Sequence, residues 1–327
     1  MRTGDHELVS LAEVTNAADR IASVVVRTPL VPFPRISPSL LIKPESLQPT
    51  GSFKLRGAYA AITANLDAAQ KYGVVAHSSG NHGHAVAYAA ALLGVRAVVV
   101  VPENAPEVKT EAISYYGAEL VTVPPLLAAR IAATEELVAQ HHYVLIPPFD
   151  DRHVIAGQGT IGLEIAADCP DPDPVVVVPV SGGGLISGIA AAVRARSPRA
   201  VIVGVEPELA ADARESLRRG ERVAWPAADV QRTAADALRV EQVGALPFAH
   251  IRELVSAIIT VTEEELLEAV RRLATEARLI AEPGGAAAVA ACLFRAGELP
   301  AGRTRVAVLS GGNIDPSLLT AVLGRVV

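Results

Sequence analysis

Four lysines, Lys43, Lys54, Lys71 and Lys109, stand in a chain that otherwise draws its positive charge from arginine. Lys54 is framed unlike the others. The run Thr50-Gly51-Ser52-Phe53-Lys54-Leu55-Arg56-Gly57-Ala58 sets it among glycines and small residues, after Pro49 and at the head of an alanine-rich run that reads as a helix through Leu66. An amine in the first turn of a helix meets the positive end of the dipole, which favours its neutral form. Neutral lysine is the form that condenses with a carbonyl. Taken alone, the segment serves equally as a surface lysine on an amphipathic helix.

Three further stretches join small residues to chemistry-bearing ones where a strand gives way to a loop. Ser78-Ser79-Gly80-Asn81-His82-Gly83 lies between a strand pattern and a helix pattern, the place where α/β sheets hold ligands. Ser79 and Asn81 bring a hydroxyl and an amide, although a plain Ser/Asn-capped turn has the same composition. Ser181-Gly182-Gly183-Gly184-Leu185 follows an apolar run and opens a helix, so successive N–H groups there make an anion nest suited to phosphate. A rival is a dinucleotide fingerprint, Gly182-x-Gly184-x-x-Ser187 with Glu206 after the next strand; its third glycine is displaced to Gly188 and Glu206 runs into Pro207. Ser310-Gly311-Gly312-Asn313 repeats the strand–glycine pattern and aims another small polar group at the same cleft.

Positioning these loops together requires parallel strands that end on one side. Helical spacing covers Ser10–Val24, and a proline-rich link leads to a strand at Leu40–Lys43. Then come a strand at Val74–His77, a helix at Asn81–Leu93, a strand at Ala97–Val101 and a helix opening at Pro106. Leu120–Val123, a helix from Leu126 to His141, and Tyr143–Ile146 complete this block. A second block runs through a strand at Val175–Val178, a helix at Leu185–Arg196 and a strand at Val201–Val205. Arg214–His250 gives no clear pattern. Thr262 and Glu265 form a capping box, Pro283 opens a helix, and Val306–Leu309 is the last strand. The alternation predicts an α/β fold of two lobes, each a parallel-type sheet flanked by helices. The smaller lobe, residues 71–148, is inserted in the larger, residues 1–70 and 149–327, with a cleft between them.

Composition narrows the function classes. The chain has 327 residues, 50% hydrophobic and 20% charged, with a formal net charge of -6, enough for a large core and unsuited to nucleic acid or an anionic membrane. No apolar run reaches the roughly 20 residues that span a bilayer, and the first residues lack a signal-peptide core. Cys169 and Cys292 match no disulfide or metal spacing. A soluble, cytoplasmic protein is expected.

Together these stretches resemble the pyridoxal-phosphate enzymes of the tryptophan-synthase-β fold (fold type II), and within them the threonine/serine dehydratase and serine racemase family. The resemblance runs from about Ser10 to Asn313 and rests on Gly51–Ala58, Ser78–Gly83, Gly157-Gln158-Gly159-Thr160 and Ser181–Leu185. It implies that Lys54 holds pyridoxal 5'-phosphate covalently in the cleft while Phe53 packs beside its ring. Asn81 bonds the ring hydroxyl, Gly182, Gly183, Gly184 and Leu185 hold the phosphate, and Ser310 faces the pyridine nitrogen. An amino-acid substrate is expected against Ser78, Ser79, Asn81, His82 and Arg130, in a homodimer. The related cysteine synthases carry a Ser-Gly-Asn-Thr loop and a threonine-rich phosphate loop, which this chain lacks.

A serine at the pyridine nitrogen tolerates an unprotonated ring, whereas enzymes needing a full electron sink place a carboxylate there. That favours expulsion of a β-hydroxyl, so the resemblance implies an ammonia-lyase converting L-threonine or L-serine to a 2-oxo acid and ammonia. Lys54 is nucleophile and base. In racemising relatives the hydroxyl matching Ser79 is an acid/base on the opposite face; in dehydratases it lies near the substrate carboxylate and leaving group. Serine racemase therefore stays open, as does a dehydratase of 3-hydroxyaspartate or another β-hydroxy amino acid. A cofactor-storage or regulatory binding protein would keep the phosphate loop without needing Ser79.

Val205-Glu206-Pro207-Glu208-Leu209-Ala210-Ala211-Asp212 resembles the divalent-cation loop of serine racemases, with Glu206, the Ala210 carbonyl and Asp212 as oxygen ligands for Mg²⁺ or Ca²⁺. It also fits a helix start whose acidic residues favour the dipole. The chain departs from the family pattern at His84, often glutamine, at Ala237, usually glycine, and at Gly284, usually threonine. Ala128 and Ala129 replace polar residues before Arg130, which also fits a solvated helix arginine. The sequence stops soon after Asn313, so a C-terminal regulatory domain and feedback by isoleucine are not expected.

Overall fold

The computed structural model describes residues 7–34, 36, 40–78, 80–105, 107–301 and 303–324. Ser79 and Pro106, singled out above, lie outside the described residues. The strands are β1 Val31–Pro32, β2 Leu40–Pro44, β3 Val74–His77, β4 Ala97–Pro102, β5 Glu119–Val123, β6 Val144–Leu145, β7 Val175–Pro179, β8 Val201–Pro207, β9 Ala257–Val261 and β10 Arg305–Leu309. They form a six-stranded sheet, β1-β2-β10-β7-β8-β9, and a four-stranded sheet, β5-β4-β3-β6. The four-stranded sheet is wholly parallel. The other is parallel except at one edge, where β1 pairs antiparallel to β2. The fold is thus α/β with two parallel-type sheets flanked by helices, the smaller sheet built from a stretch that interrupts the strands of the larger.

The apolar runs explain the layering. Val175, Val176, Val177 and Val178 are fully buried, as a strand covered on both faces must be. At the sheet edge the proline-rich link supplies β1, which the sequence reading left as a connection; Pro32, with no N–H to donate, is tolerated at such an edge. β9 was not expected either. It follows the helices Asp212–Arg219, Ala227–Val230 and Ala245–Leu254, which occupy the stretch that showed no clear pattern.

The helices differ from expectation mainly at their ends. The first spans Leu11–Ile21 and begins with a capping box, Ser10 with Glu13. The Lys54 helix stops at Ala64, and a separate helix, Leu66–Tyr72, follows. The Gly157-Gln158-Gly159-Thr160 run lies inside a helix, Arg152–Asp168, that packs against the Lys54 helix and the Gly184–Arg196 helix. A Cβ on Gly157 would sit 2.5 Å from the Arg56 carbonyl, so the glycine permits close helix packing and is not a ligand loop. No described helix is long and apolar enough to cross a membrane.

Beneath the Lys54 helix lies a buried ionic network. The Arg56 guanidinium is fully buried and donates to both oxygens of Glu45 (2.8 and 2.9 Å) and both oxygens of Glu164 (2.7 and 3.0 Å). Lys43, also fully buried, donates to Glu164 (2.5 Å) and to the Thr28 carbonyl (2.6 Å). Burial would raise the Glu45 carboxyl, but Arg56, Lys43 and Thr28 outweigh it and hold the group below its ordinary value of 4.5. Glu45 therefore stabilises the fold above that value and the contribution is lost as pH falls through the lower folded value. Replacing Arg56 by leucine strips the buried Glu45 carboxylate of its ion-pair partner and leaves Glu164 with Lys43 alone, and a loss of roughly 3–5 kcal/mol in urea unfolding is expected. An Arg56→Leu protein as stable as the parent at pH 7 contradicts this.

Candidate active site

Parallel pairing brings the carboxyl ends of β2, β10 and β7 side by side. The loops leaving β2 and β10 are stitched together: the Phe53 N–H donates to the Ser310 carbonyl (3.0 Å), the Gly312 N–H to the Gly51 carbonyl (2.8 Å), and Ser52 bridges to Gly311. Lys54 is the first residue of its helix. Its Nζ donates to the Pro148 carbonyl (2.6 Å) and lies 5.1 Å from the centroid of the Phe53 ring. The residue is half-buried overall while its amine end is enclosed. Burial pushes that amine down to about 8, against the pull of Glu282. Desolvation is thus the main cause of its low value, where the sequence pointed to the helix dipole.

The glycine loop after β7 is shaped for close approach. Gly183 has φ +88, a left-handed conformation that disfavours any side chain, and a Cβ on Gly182 would meet the Phe149 ring at 2.2 Å. Gly184 opens the helix, Leu185 anchors it in the core, and no side chain caps it, so its first N–H groups are available to an anion. Four buried polar atoms, Thr50 Oγ1, Ser52 Oγ and Ser181 Oγ on these loops and His82 Nδ1 in the helix after β3, have no partner among the described residues. Buried polar atoms need partners, so an amine, an uncapped helix end and orphaned hydroxyls fit a polar, phosphate-bearing carbonyl compound. Ser310, 6% exposed, borders the same loops.

The loop after β3 faces this group from the smaller sheet. Ser78 Oγ accepts from the Gly80 N–H (3.2 Å), and the Asn81–Leu93 helix also lacks a side-chain cap. His82 Nε2 lies 2.8 Å from the Ile146 carbonyl, which can only accept. That assigns the ring proton to Nε2 and leaves Nδ1 as a bare acceptor. Burial, with Lys54 nearby, holds His82 down at about 3, so the ring is neutral at ordinary pH. Asn81 Nδ2 donates to Glu282 (2.6 Å), a buried carboxyl that burial and then Asp236 push up to about 8. The sequence reading singled out Gly284 nearby but not Glu282. Its position before Pro283, at a helix start without a strand ahead of it, gave no glycine-loop signal.

Arg130 sits half-buried on the Leu127–His141 helix with its Nε unpartnered; its charge is felt at His77, the residue before Ser78. His84 stacks on Tyr116, ring centroids 5.5 Å apart, in an aromatic cluster with Tyr88 and Tyr115. Lys109, between β4 and β5, donates to Asp236, between β8 and β9 (2.5 Å), a link the sequence did not reveal.

Glu206, near the end of β8, and Asp212, which opens the next helix, form a separate centre. Glu206 accepts the N–H groups of Ala213 (3.0 Å) and Arg214 (2.8 Å), and Asp212 accepts that of Val243 (2.7 Å). Both carboxyls are buried, as is Ala210. Burial, then the proximity of Asp212, raises Glu206 well above its ordinary value, and burial raises Asp212 to about 7. Among the described residues no group of three or more His, Cys, Asp or Glu side chains gathers around a metal-sized gap. Two carboxylates pushed together in a dry site would nonetheless be relieved by a hard cation.

Residues 21–311 match the family model described as pyridoxal-phosphate dependent enzyme. The chain belongs to that family. Its sequence is 38% identical to an L-threonine ammonia-lyase of Thermotoga maritima, over 97% of this chain and 79% of that protein. It is also 38% identical to an L-threo-3-hydroxyaspartate ammonia-lyase of Saccharomyces cerevisiae, over 93% of each. The structure of maize serine racemase is similar with a TM-score of 0.91 at 34% identity, covering 96% of this chain and 97% of that one.

Against this family, the two small-residue departures turn out to face each other. A Cβ on Gly284 would lie 3.3 Å from the Ala237 methyl and 3.1 Å from Leu238 Cγ. The methyl at 237 therefore occupies room that a larger residue at 284 would need. Gly284→Ala is expected to lower thermal stability, and Ala237→Gly added to it should recover part of the loss. Melting temperatures that simply add would separate the two positions.

Proposed function

We propose that this chain is a pyridoxal-phosphate-dependent ammonia-lyase acting on L-threonine or L-serine and releasing a 2-oxo acid and ammonia. The observation that carries the reading is the enclosed Lys54 amine, held at about 8 where stitched strand-end loops meet two uncapped helix starts. Identity of 38% to an L-threonine ammonia-lyase supports the same substrate class.

Lys54 would hold the cofactor's aldehyde carbon, Phe53 would flank the ring, and Asn81 would donate to the ring hydroxyl. Gly182, Gly183, Gly184 and Leu185 would hold the phosphate, with the Ser310 hydroxyl at the pyridine nitrogen. Bound there, the cofactor supplies an electron sink that acidifies the substrate's Cα–H. The Lys54 amine, partly neutral at pH 7–8, takes the α-proton. N–H groups of the first turn after Gly80 would bind the substrate carboxylate, with Ser78, His82 and the Arg130 charge nearby, and Ser79 is assigned to the substrate by the family resemblance alone. The β-hydroxyl takes up that proton and leaves as water, and one water molecule then hydrolyses the released 2-amino-2-enoic acid, through its imine, to the 2-oxo acid and ammonia.

Serine racemase is the second reading, favoured by the 0.91 TM-score to the maize enzyme and by the Ser79 hydroxyl. A dehydratase of 3-hydroxyaspartate is the nearest variant of the first. A panel of β-hydroxy amino acids, assayed for 2-oxo acid and D-enantiomer in one tube, separates them. Faster 2-oxo acid than D-serine is expected, with Ser79→Ala abolishing only the D-product. D-serine outpacing pyruvate would hand the case to the racemase.

We further propose that Glu206, the Ala210 carbonyl and Asp212 hold Mg²⁺ or Ca²⁺. Chelation should lower the melting temperature and added Mg²⁺ restore it; a melt indifferent to chelator ends the idea. Residues 71–148 would act as a small domain against a large one of 1–70 and 149–327, in a cytoplasmic homodimer. Membership of separate sheets supports the division, and exposed Leu47 and Ile280 are available for contact between copies.

A further inference from the structure

We infer that Asn313 is a positioning residue that sets which way the Asn81 amide faces, so that one Asn81 N–H stays free for an acceptor in the cleft. The inference rests on the reading above that Asn81 meets the ring hydroxyl of the cofactor. An amide side chain offers two ends of nearly equal shape and opposite hydrogen-bonding character, and only its neighbours decide between them.

The deciding neighbour here is a backbone carbonyl. Asn313 lies 2.9 Å from the Thr50 carbonyl, which can only accept, so the Asn313 atom facing it is the Nδ2 donor. The same Nδ2 reaches the Asn81 side chain at 2.7 Å, which makes the facing Asn81 atom its oxygen. Asn81 Nδ2 then points at Glu282 Oε1, 2.6 Å away, where a carboxyl oxygen accepts. Donors and acceptors agree at every link from Thr50 to Glu282. One Asn81 N–H is committed to Glu282, and the other is the donor left for a ligand. With the amide reversed, Nδ2 would face Nδ2 at the Asn313 link, and that link decides the orientation whether or not Glu282 carries its proton.

Two glycines make the chain of contacts possible. A Cβ on Gly51, whose φ is +70, would lie 2.3 Å from Asn313 Oδ1. One on Gly311 would lie 2.4 Å from Glu282 Oε1 and 3.2 Å from Asn81 Nδ2. Asn313 itself is exposed, so its substitution removes no core contact.

The test is a double-mutant cycle of Asn81→Ala and Asn313→Ala on protein loaded with pyridoxal phosphate, read by cofactor titration and by visible absorption across pH. Asn313→Ala alone should weaken cofactor binding about tenfold, the scale of one lost hydrogen bond, and shift the pH midpoint of the absorption. On the Asn81→Ala background it should change nothing further. Equal effects on both backgrounds, or an unchanged spectrum in folded Asn313→Ala, overturn the inference. Asn313→Asp, isosteric but with no proton to donate, replaces the alanine variant if that fails to fold. Gly51→Ala, which displaces Asn313 from the other side, should reproduce the spectral shift, and a parental spectrum there counts against the inference. Borohydride reduction of the parent separates the two levels of argument. No adduct on Lys54 sinks the functional reading, whereas a Lys54 adduct with additive effects in the cycle sinks only the role of Asn313.

Discussion

The Arg56 guanidinium, gripped from two sides by Glu45 and Glu164, is the contact on which the position of Lys54 depends. Residues two apart on a helix face different directions. With Arg56 locked into the buried network, the rotation of the helix is fixed and Lys54 is turned elsewhere, toward Pro148. The network also gathers β2 through Lys43 and the Arg152–Asp168 helix through Glu164 and Thr160. Two positive and two negative groups balance there. Such a cluster contributes more to unique geometry than to net stability, because desolvation offsets much of the attraction while a single missing partner is costly.

Above that network, burial acts on acids and bases alike. It lowers Lys54 to about 8 and His82 to about 3, and it raises Glu282 to about 8. All three groups are moved toward their neutral forms. The backbone adds attraction for an anion through the N–H groups opening the Gly184 and Asn81 helices, which do not titrate. A cleft in which burial moves these side chains toward neutrality and fixed dipoles add positive potential suits a ligand with a phosphate and a substrate with a carboxylate. It also leaves the lysine amine available as a base.

Local signals carried much of this architecture. The apolar runs at Val74–His77, Val175–Val178 and Val306–Leu309, each followed by small polar residues, pointed to strands ending at a ligand because strand, turn and helix start are decided by near neighbours. The Thr262–Glu265 capping box held for the same reason. Where local signals left the structure undecided, packing settled it. Gly157 and Gly159 look like breakers and lie in a buried helix because neighbouring helices come too close for a side chain. The short edge strand β1 exists only because β2 offers it a partner.

The residue types of the site, and the loops that hold them, were legible from order along the chain: a lysine among glycines, a serine–asparagine loop, a triple glycine. The partners of those residues were not. Asn81 meets Glu282 across 201 positions and Asn313 across 232, and Lys43 meets Glu164 across 121. Which side chains face one another at such separations follows from strand order and from the rotation of each helix. Both are settled by packing of the whole chain at once, so the charge balance under Lys54 and the direction of the Asn81 amide arise only in the folded protein.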